Sequence, residues 1–512
     1  MELIQKKIHT DGANAHLLSQ IVLEEDVNIS DVKPDVGEVL SEHGRVILEE
    51  IRTLEHQVMV RGRLAYEVLY VTDSMQPEPA CMKGELPFQE KISVEQVNQG
   101  DSIQIHGRVE DLNVSIVNSR KLSLKAIIDL EIMPEESKEQ TVGTGLSGAE
   151  HAEYRQCHYD ITELVQQKKD IFRIRETMKL PEAKSDIGEI IWTDVRFQSM
   201  AFRPMDDKIM ITGEMKLFCL YQTDMGDVEW YEYTEPINSP FACDGCSDAM
   251  FVKVLYEPGA MQIESAADGN GDKRLLQLDG VLDLTICLFT NEKIPLLADV
   301  YDVEKEIDTT TEWLQCRKLC QEFTVHHKLQ AELIAEQEKN IGTVLRVCAD
   351  PKVQQSYMTE QELLIKGYVT YCVLYQNLNE NTLCTLKKQL PFEFRLRPQC
   401  NSQELFADVI LEVEACDYLV SGENKIEITL GVESITALWE EQKIPAITGI
   451  QVSDMDIQKQ NELPVFSIWV AEEQDSLWKI GKQFYVPVDR IKSVNNLTGD
   501  EIEAGQKLLI VR

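Results

Sequence analysis

An internal repeat of about 150 residues constrains this chain more than any other feature of its sequence. The segment Val60-Arg-Gly-Arg-Leu-Ala-Tyr-Glu-Val-Leu-Tyr70 returns as Ile211-Thr-Gly-Glu-Met-Lys-Leu-Phe-Cys-Leu-Tyr221 and again as Ile365-Lys-Gly-Tyr-Val-Thr-Tyr-Cys-Val-Leu-Tyr375. Gly213 lies 151 residues beyond Gly62, and Gly367 lies 154 beyond Gly213. Upstream, Asp35-Val-Gly37, Asp186-Ile-Gly188 and Asn340-Ile-Gly342 keep the same offsets. Downstream, Leu86-Pro-Phe88, Ser239-Pro-Phe241 and Leu390-Pro-Phe392 follow at slightly unequal distances, as loops of different length allow.

Each unit closes on a further strand-like run: Leu122–Asp129, Leu276–Asp283 and Ile426–Glu433. Each run follows a turn-rich tract, Asn118-Ser119, Gly269-Asn-Gly-Asp272 and Ser421-Gly-Glu-Asn424, which reads as a hairpin connection. Glu292-Lys-Ile-Pro295 and Gln442-Lys-Ile-Pro445 match at a 150-residue offset, so the unit extends past that run. The runs are β-branched, aromatic and roughly alternating, which predicts antiparallel strands with one face in a core. The in-strand glycines read as bulges or sheet crossings, the alternative being close approach of a ligand or backbone. The tyrosines read as core rings with a hydrogen-bonded hydroxyl.

The predicted fold is mainly β: three tandem antiparallel β repeats of about 150 residues, then a small βααβ domain. The expected boundaries are an N-terminal segment 1–20, repeats at 21–133, 170–302 and 321–449, linkers at 134–169, 303–320 and 450–464, and a C-terminal domain at 465–512. The tract from Pro134 to Gly148 is polar and glycine-bearing, which predicts flexibility.

Lys and Arg number 50 against 88 Asp and Glu, a net charge of −38 with pI near 4.6. Such a field repels nucleic acid and anionic lipid, and favours basic partner surfaces, cations or plain solubility. No run approaches the ~20 apolar residues that cross a bilayer, and the start shows no secretory pattern. Thirteen cysteines, several inside apolar runs (Cys219, Cys287, Cys372), fit a reducing compartment and small buried hydrophobes. A cytosolic chain is expected.

In the C-terminal 48 residues, Phe466–Ala471 alternates as a strand and Asp475-Ser476 caps a helix carrying Leu477, Trp478, Ile480 and Phe484. Val486-Pro487 interrupts it, a second helix covers Val488–Val494, and Glu503–Ile510 returns as a strand. Trp478, Ile480, Ile491, Leu508 and Ile510 are the expected core. This segment carries six Lys/Arg and seven Asp/Glu, so the acidity lies in the repeats. Lys479 and Lys482 share a helix face. With Trp469, Arg490 and Lys492 they are the candidate partner-binding residues, a solvated face being the bland alternative.

Cys243-Asp-Gly-Cys246 has zinc-ligand spacing but lacks two further ligands, and Cys316 and Cys320 are poorly spaced. His326 and His327 point to opposite faces of a strand. Asp268-Gly-Asn-Gly-Asp272 lacks the glutamate that closes a calcium loop and reads as a turn. Neither a phosphate loop nor a nucleophile elbow occurs. The expectation is a non-enzymatic chain with no metal and no cofactor.

The blocks Ile468–Trp478, Ile491-x3-Asn495-Asn496-Leu497 and Ala504–Ile510 resemble a LysM domain almost end to end. That resemblance implies a shallow groove for N-acetylglucosamine-containing glycans, formed here by Gln474, Asp475, Ser476 and Leu477 on one side and Asn495, Asn496 and Leu497 on the other. Gln474 stands where the family usually has Gly, after Glu472 and Glu473, which crowds the edge a sugar would approach. The upstream units resemble the SPOCS repeat, and the whole architecture is similar to SipL-type spore-coat morphogenesis proteins. The resemblance implies synthesis in the mother-cell cytoplasm and a place at the forespore surface in the spore coat. It also implies contact of the LysM module with a morphogenetic ATPase, alongside other coat proteins or peptidoglycan.

Overall fold

The computed structural model describes residues 1–10, 17–94, 97–100, 103–134, 138–336, 339–400, 405–455 and 464–512. The first repeat holds β1 (Glu2–Thr10), β2 (Leu17–Asn28), β3 (Val36–Leu54), β4 (Gln57–Thr72), β5 (Pro79–Ser93), β6 (Ile103–Asn118), β7 (Lys121–Pro134) and β8 (Lys138–Ser147). The second holds β9 (Ala152–Lys179), β10 (Ile187–Met205), β11 (Lys208–Thr223), β12 (Val228–Ala242), β13 (Phe251–Ala267) and β14 (Lys273–Asp302). The third holds β15 (Lys305–Ile334), β16 (Ile341–Met358), β17 (Leu363–Asn377), β18 (Leu383–Leu396), β19 (Leu405–Ser421) and β20 (Lys425–Asp454). The C-terminal domain is β21 (Phe466–Val470), α1 (Leu477–Phe484), α2 (Val488–Asn495) and β22 (Lys507–Val511).

Alternation builds each repeat as a two-layer sandwich. On β4, Val58, Val60, Leu64, Tyr66, Val68 and Tyr70 face inward, against Leu122, Leu124, Ala126, Ile128, Leu130 and Ile132 of β7. The sheet β3-β4-β5 thus packs on β2-β7-β6, and the same pairing recurs as β10-β11-β12 on β9-β14-β13 and β16-β17-β18 on β15-β20-β19. The three hairpin turns fall where expected: Asn118 pairs Lys121, Ala267 pairs Lys273 and Ser421 pairs Lys425. In the middle one, Asp268 Oδ1 accepts the Asn270 N–H at 2.8 Å, so the acidic tract is an Asx turn.

The repeat's signature residues are structural. Tyr70, Tyr221 and Tyr375 are fully buried and donate to the carbonyls of Pro34, Ser185 and Lys339 at 3.1, 3.3 and 3.1 Å, each 36 residues upstream. A Cβ at Gly62 would meet the Ile47 carbonyl at 2.5 Å and the Phe88 ring at 2.8 Å; at Gly367 it would strike the Lys352 carbonyl and meet the Phe392 ring at 2.7 Å. A register shift lies opposite each glycine, between Leu48 and Glu50, Gln198 and Ala201, and Val353 and Gln355. These are bulges, one of the two readings the sequence left open.

The second repeat departs from the Pro-Phe pattern. Phe88 and Phe392 lie directly across from Gly62 and Gly367, but the residue across from Gly213 is Ile237, and Phe241 sits across from Ile209. The true equivalent of Pro87-Phe88 is therefore Pro236-Ile237, and Met200, whose Sδ lies closest to a Cβ built on Gly213, fills the space of the missing ring.

Two expected linkers are strand. Residues from Lys138 form β8, which pairs with β1, and β9 and β15 run through 152–169 and 305–320 without a break. Beyond each sandwich the first and last strands of a repeat continue as a two-stranded extension. The extensions bring equivalent residues into one cluster: Ile8, Ile161 and Leu314 with Val142, Ile294 and Ile444. Most other positions on these strands are polar and solvated, which made the tracts read as polar connectors. Of 450–464, residues 450–454 belong to β20, and 456–463 lie outside the described residues.

A second cluster shows how the sandwiches are arranged. Leu69, Leu220 and Leu374, equivalent positions of the three repeats, meet with Leu40, Trp192 and Leu345. The contacts between neighbours form a cycle. Glu110, at the β6 bulge of repeat 1, accepts from Tyr368 Oη (2.7 Å) and Lys352 Nζ (3.2 Å) of repeat 3. The backbone carbonyl of Glu414, at the equivalent β19 bulge of repeat 3, accepts from Gln198 Nε2 of repeat 2 at 3.4 Å. Repeat 2 returns to repeat 1 through Thr285 and His106, 3.0 Å apart. Three unequal sandwiches thus close around a pseudo-threefold axis.

Candidate functional site

The C-terminal domain carries the candidate partner and glycan residues, and its fold decides which of them are available. Ser476 caps α1, its Oγ accepting the Lys479 N–H at 3.2 Å, and Tyr485 ends the helix in the left-handed conformation. Asn496 ends α2 in the same way. Asn495 ties α2 to β22: its side-chain amide donates to the Ile491 and Leu509 carbonyls and its Oδ1 accepts the Leu509 N–H at 2.7 Å. Leu477, Ile480, Val486, Ile491, Leu508 and Ile510 form the core, with Leu497 against it.

Of the seven groove-equivalent residues, Asp475, Ser476, Leu477, Asn495 and Leu497 are therefore engaged in the domain's own fold. Asp475 accepts from the Trp469 indole N–H at 2.7 Å and from the Glu472 amide at 3.1 Å. Gln474 and Asn496 present their side chains to solvent.

The two tryptophans exchange their expected places. Trp469 packs edge-on against Phe484 at 5.6 Å on the inner face of β21, beside the core. Trp478, expected in that core, leaves it and packs edge-on against Tyr301 of the second repeat, with ring centroids 5.0 Å apart. Its indole N–H donates to Asp299 Oδ2 at 2.8 Å, and the Arg155 guanidinium lies over its ring at 5.5 Å. Tyr301 Oη donates to the Val486 carbonyl at 2.9 Å, and a Cβ on Gly481 would meet that hydroxyl at 2.7 Å. Glycine at 481 permits this approach. The domain is thus seated on the far end of the β9–β14 extension, where Asp299 pairs Arg155 and Tyr301 pairs Glu153.

The basic candidates are satisfied locally. Lys482 pairs with Asp299 and Lys479 donates to the Gln474 carbonyl at 2.7 Å, so the two lysines serve different partners. Arg490 donates to the Arg512 carbonyl, and Lys492 pairs with Asp500 and Asp489. Burial works to raise the Asp299 carboxyl, but hydrogen bonds from Lys482 and Trp478 hold it below the ordinary carboxylate value. Burial, and then the nearby Asp489, raises Glu153.

The surface left open was missed in the sequence. Phe466, Ile468 and Val470 project from β21 away from the helices, beside Leu509 of β22, with Phe466 and Ile468 each 69% exposed. The signal was present in Phe466-Ser-Ile-Trp-Val-Ala471. A strand shows its alternate residues to opposite faces, and two helices cover only one face of a two-stranded sheet. With Trp469 and Ala471 inside, Phe466, Ile468 and Val470 must be outside.

Metal candidates lie elsewhere. Cys243 and Cys246 are buried in the turn after β12, close enough for thiol contact. His327 stacks on Phe394, while His326 faces outward and meets Glu414 at 2.8 Å, with Glu433 completing a three-residue group. Among the described residues, no helix is long and apolar enough to cross a membrane.

A family model described as "SipL, SPOCS domain" matches residues 35–117, 186–264 and 340–421, and a LysM domain model matches 472–511. Both are binding-type rather than catalytic families. The chain is also similar to "Uncharacterized protein YkzQ" of Bacillus subtilis (strain 168), 33% identical over 69 residues, which is 13% of this chain and 92% of that protein. No solved structure matches.

Proposed function

Since the chain belongs to the SipL family, with three SPOCS domains ahead of a C-terminal LysM domain, we propose that it is a non-enzymatic adaptor of endospore coat assembly. It is made in the mother-cell cytoplasm and works at the forespore surface, where the LysM module grips the coat's morphogenetic ATPase and the acidic ring of repeats meets other coat proteins. The observation that carries this reading is the outward apolar face of β21 and β22, with Phe466, Ile468, Val470 and Leu509 side by side. A contiguous exposed apolar patch suits a protein surface better than a sugar. At the glycan edge, Glu472, Glu473 and Gln474 replace the open backbone a sugar needs. A LysM head tethered to a ring also gains effective concentration on a polymeric layer.

The test uses the full chain. Ile468→Glu should weaken binding to the purified ATPase more than 10-fold with an unchanged circular dichroism spectrum, and removal of residues 465–512 should abolish forespore localisation. Normal binding by Ile468→Glu, or normal localisation of the truncated chain, overturns the reading. The second reading, recognition of peptidoglycan glycan, rests on the LysM fold and on Gln474 and Asn496 at the groove. Saturable binding of chitin oligomers by the unaltered chain would support it, and binding that appears only in Gln474→Gly would show that the crowded edge prevents it.

A further inference from the structure

A polar chamber lies between repeats 2 and 3, next to the leucine cluster, and reaches the pseudo-threefold axis at His43. Along the axis stand the equivalent positions Ser41, Trp192 and Arg346, then His43, Asp194 and Cys348; of the first three only Arg346 reaches the chamber, while all of the second three line it. The chamber measures about 590 Å³ and is lined by Arg196, Lys216, Arg346, Cys348 and Asp350 among others. Cys348 faces it. Cys372 does not, but both thiols line a small adjoining recess bounded by Leu69, Trp192 and Leu374.

Cys348 and Cys372 sit directly opposite each other on β16 and β17. Opposed residues of an antiparallel pair hold their Cα atoms about 4.5–5.5 Å apart, inside the roughly 4.4–6.8 Å that a disulfide spans. Cys348 Sγ is 3.6 Å from the Cys372 carbonyl oxygen, and Cys372 Sγ is 3.8 Å from Thr385 Oγ1. The equivalent pairs are His43 with Glu67 and Asp194 with Phe218, so the third repeat alone carries thiols here. A hydrogen bond from Cys372, and then the guanidinium groups of Arg196 and Arg346, hold the Cys348 thiol well below its ordinary value, while the same hydrogen bond drives Cys372 up. Of the two sulfurs, that of Cys348 is the one on the chamber side.

We propose that Cys348 and Cys372 form a redox-active dithiol, which a hydroperoxide small enough to enter the chamber converts into an intramolecular disulfide. The Cys348 thiolate attacks one peroxide oxygen, the O–O bond breaks, and the departing oxygen leaves as hydroxide that takes up a proton to become water. Arg346 and Arg196 face the charge that develops. Cys372 sulfur then attacks the Cys348 sulfenic sulfur, the S–S bond forms, the S–O bond breaks, and the Cys372 proton departs with that oxygen as a second water. Two thiols and one hydrogen peroxide give one disulfide and two waters, the dithiol supplying both electrons. The product ties β16 to β17 where repeat 3 meets the other two.

The test treats the full chain with one equivalent of hydrogen peroxide, alkylates the remaining thiols and maps peptides by mass spectrometry without reduction. A 348–372 linked pair, two hydrogens lighter, should form at least 10-fold faster than any Cys243–Cys246 or Cys320–Cys400 linkage and before the exposed Cys157 is oxidised. In Cys372→Ser, Cys348 should accumulate as a sulfenic acid trapped by a 1,3-dione, and Arg346→Gln should slow the reaction more than 10-fold relative to Arg346→Lys. Oxidation of Cys157 with residues 348 and 372 still alkylated overturns the proposal, as does trapping of the sulfenic acid on Cys372. The unaltered protein alone decides the first point, so a variant that fails to fold does not remove the test.

Discussion

Trp478 and Asp299 meet at 2.8 Å across 179 residues of sequence, and that hydrogen bond seats the LysM domain on the second repeat. Asp299 also takes Lys482, so one carboxylate anchors α1 twice. Asp299→Ala should loosen the seat by about 1–3 kcal/mol, the worth of hydrogen bonds to a half-exposed charged group. The expected outcome is faster hydrogen exchange along α1 with the three sandwiches unaffected. The carboxyl is held below its ordinary value of 3.8, so this contribution is complete above pH 3.8 and is lost as pH falls below that value toward the depressed pKa. A release profile followed by Trp478 fluorescence reads this directly.

The glycines opposite the bulges are predicted to reject a single methyl group. Gly62→Ala and Gly367→Ala place a Cβ against a backbone carbonyl and a packed phenylalanine ring, and each should cost about 1–3 kcal/mol in urea denaturation. Gly145→Ala, whose nearest neighbour would lie 3.6 Å away, should change stability by less than about 0.5 kcal/mol.

Removing one hydroxyl from the repeat's tyrosines tests a different term. Tyr70→Phe or Tyr375→Phe keeps the ring but leaves the Pro34 or Lys339 carbonyl without this donor, at a cost of about 1–3 kcal/mol per site. Tyr221→Phe should cost the same order, with Glu229 also losing the hydroxyl it accepts from.

Glu412 makes the ring's stability pH-dependent between about 4.5 and 7. Burial, opposed in part by hydrogen bonds from Tyr256 Oη and the Met200 amide and aided by Glu433 across the strand, pushes its carboxyl up from 4.5 to about 7. A raised carboxyl favours the fold below pH 4.5, and this advantage is lost as pH rises through about 7. Glu412→Gln should therefore leave stability unchanged at pH 4 and increase it by about 3 kcal/mol at pH 8, in thermal melts at both values.

How much of this was legible in the sequence varies with the range of the interaction. Alternation along the first two-thirds of β4, β11 and β17 reports burial directly, because there each strand has one core face, and the tyrosine and glycine positions followed from that. The cap at Ser476 and the stop at Asn496 are local chemistry and were legible too. The extensions were not. Ile161 and Leu314 lie in largely polar tracts, and only their convergence with Ile8, 153 and 306 residues away from it, makes a core. The displacement of Pro-Phe in repeat 2 was hidden because Ser239-Pro-Phe241 copies the motif four residues out of register. Trp478 was assigned to the wrong core because its partner, Asp299, lies in another domain.

The closure of the ring from one chain has a consequence for how its centre can be composed. Three copies of a single polypeptide around a true threefold axis would place any axial residue against two identical neighbours, so one arginine at the height of Arg346 would face two more. Here the same height holds Ser41, Trp192 and Arg346, and the next holds His43, Asp194 and Cys348. Covalent continuity lets each seat be mutated separately, so an arginine can find an aspartate and a thiol at the centre where a homotrimer would have only copies of itself.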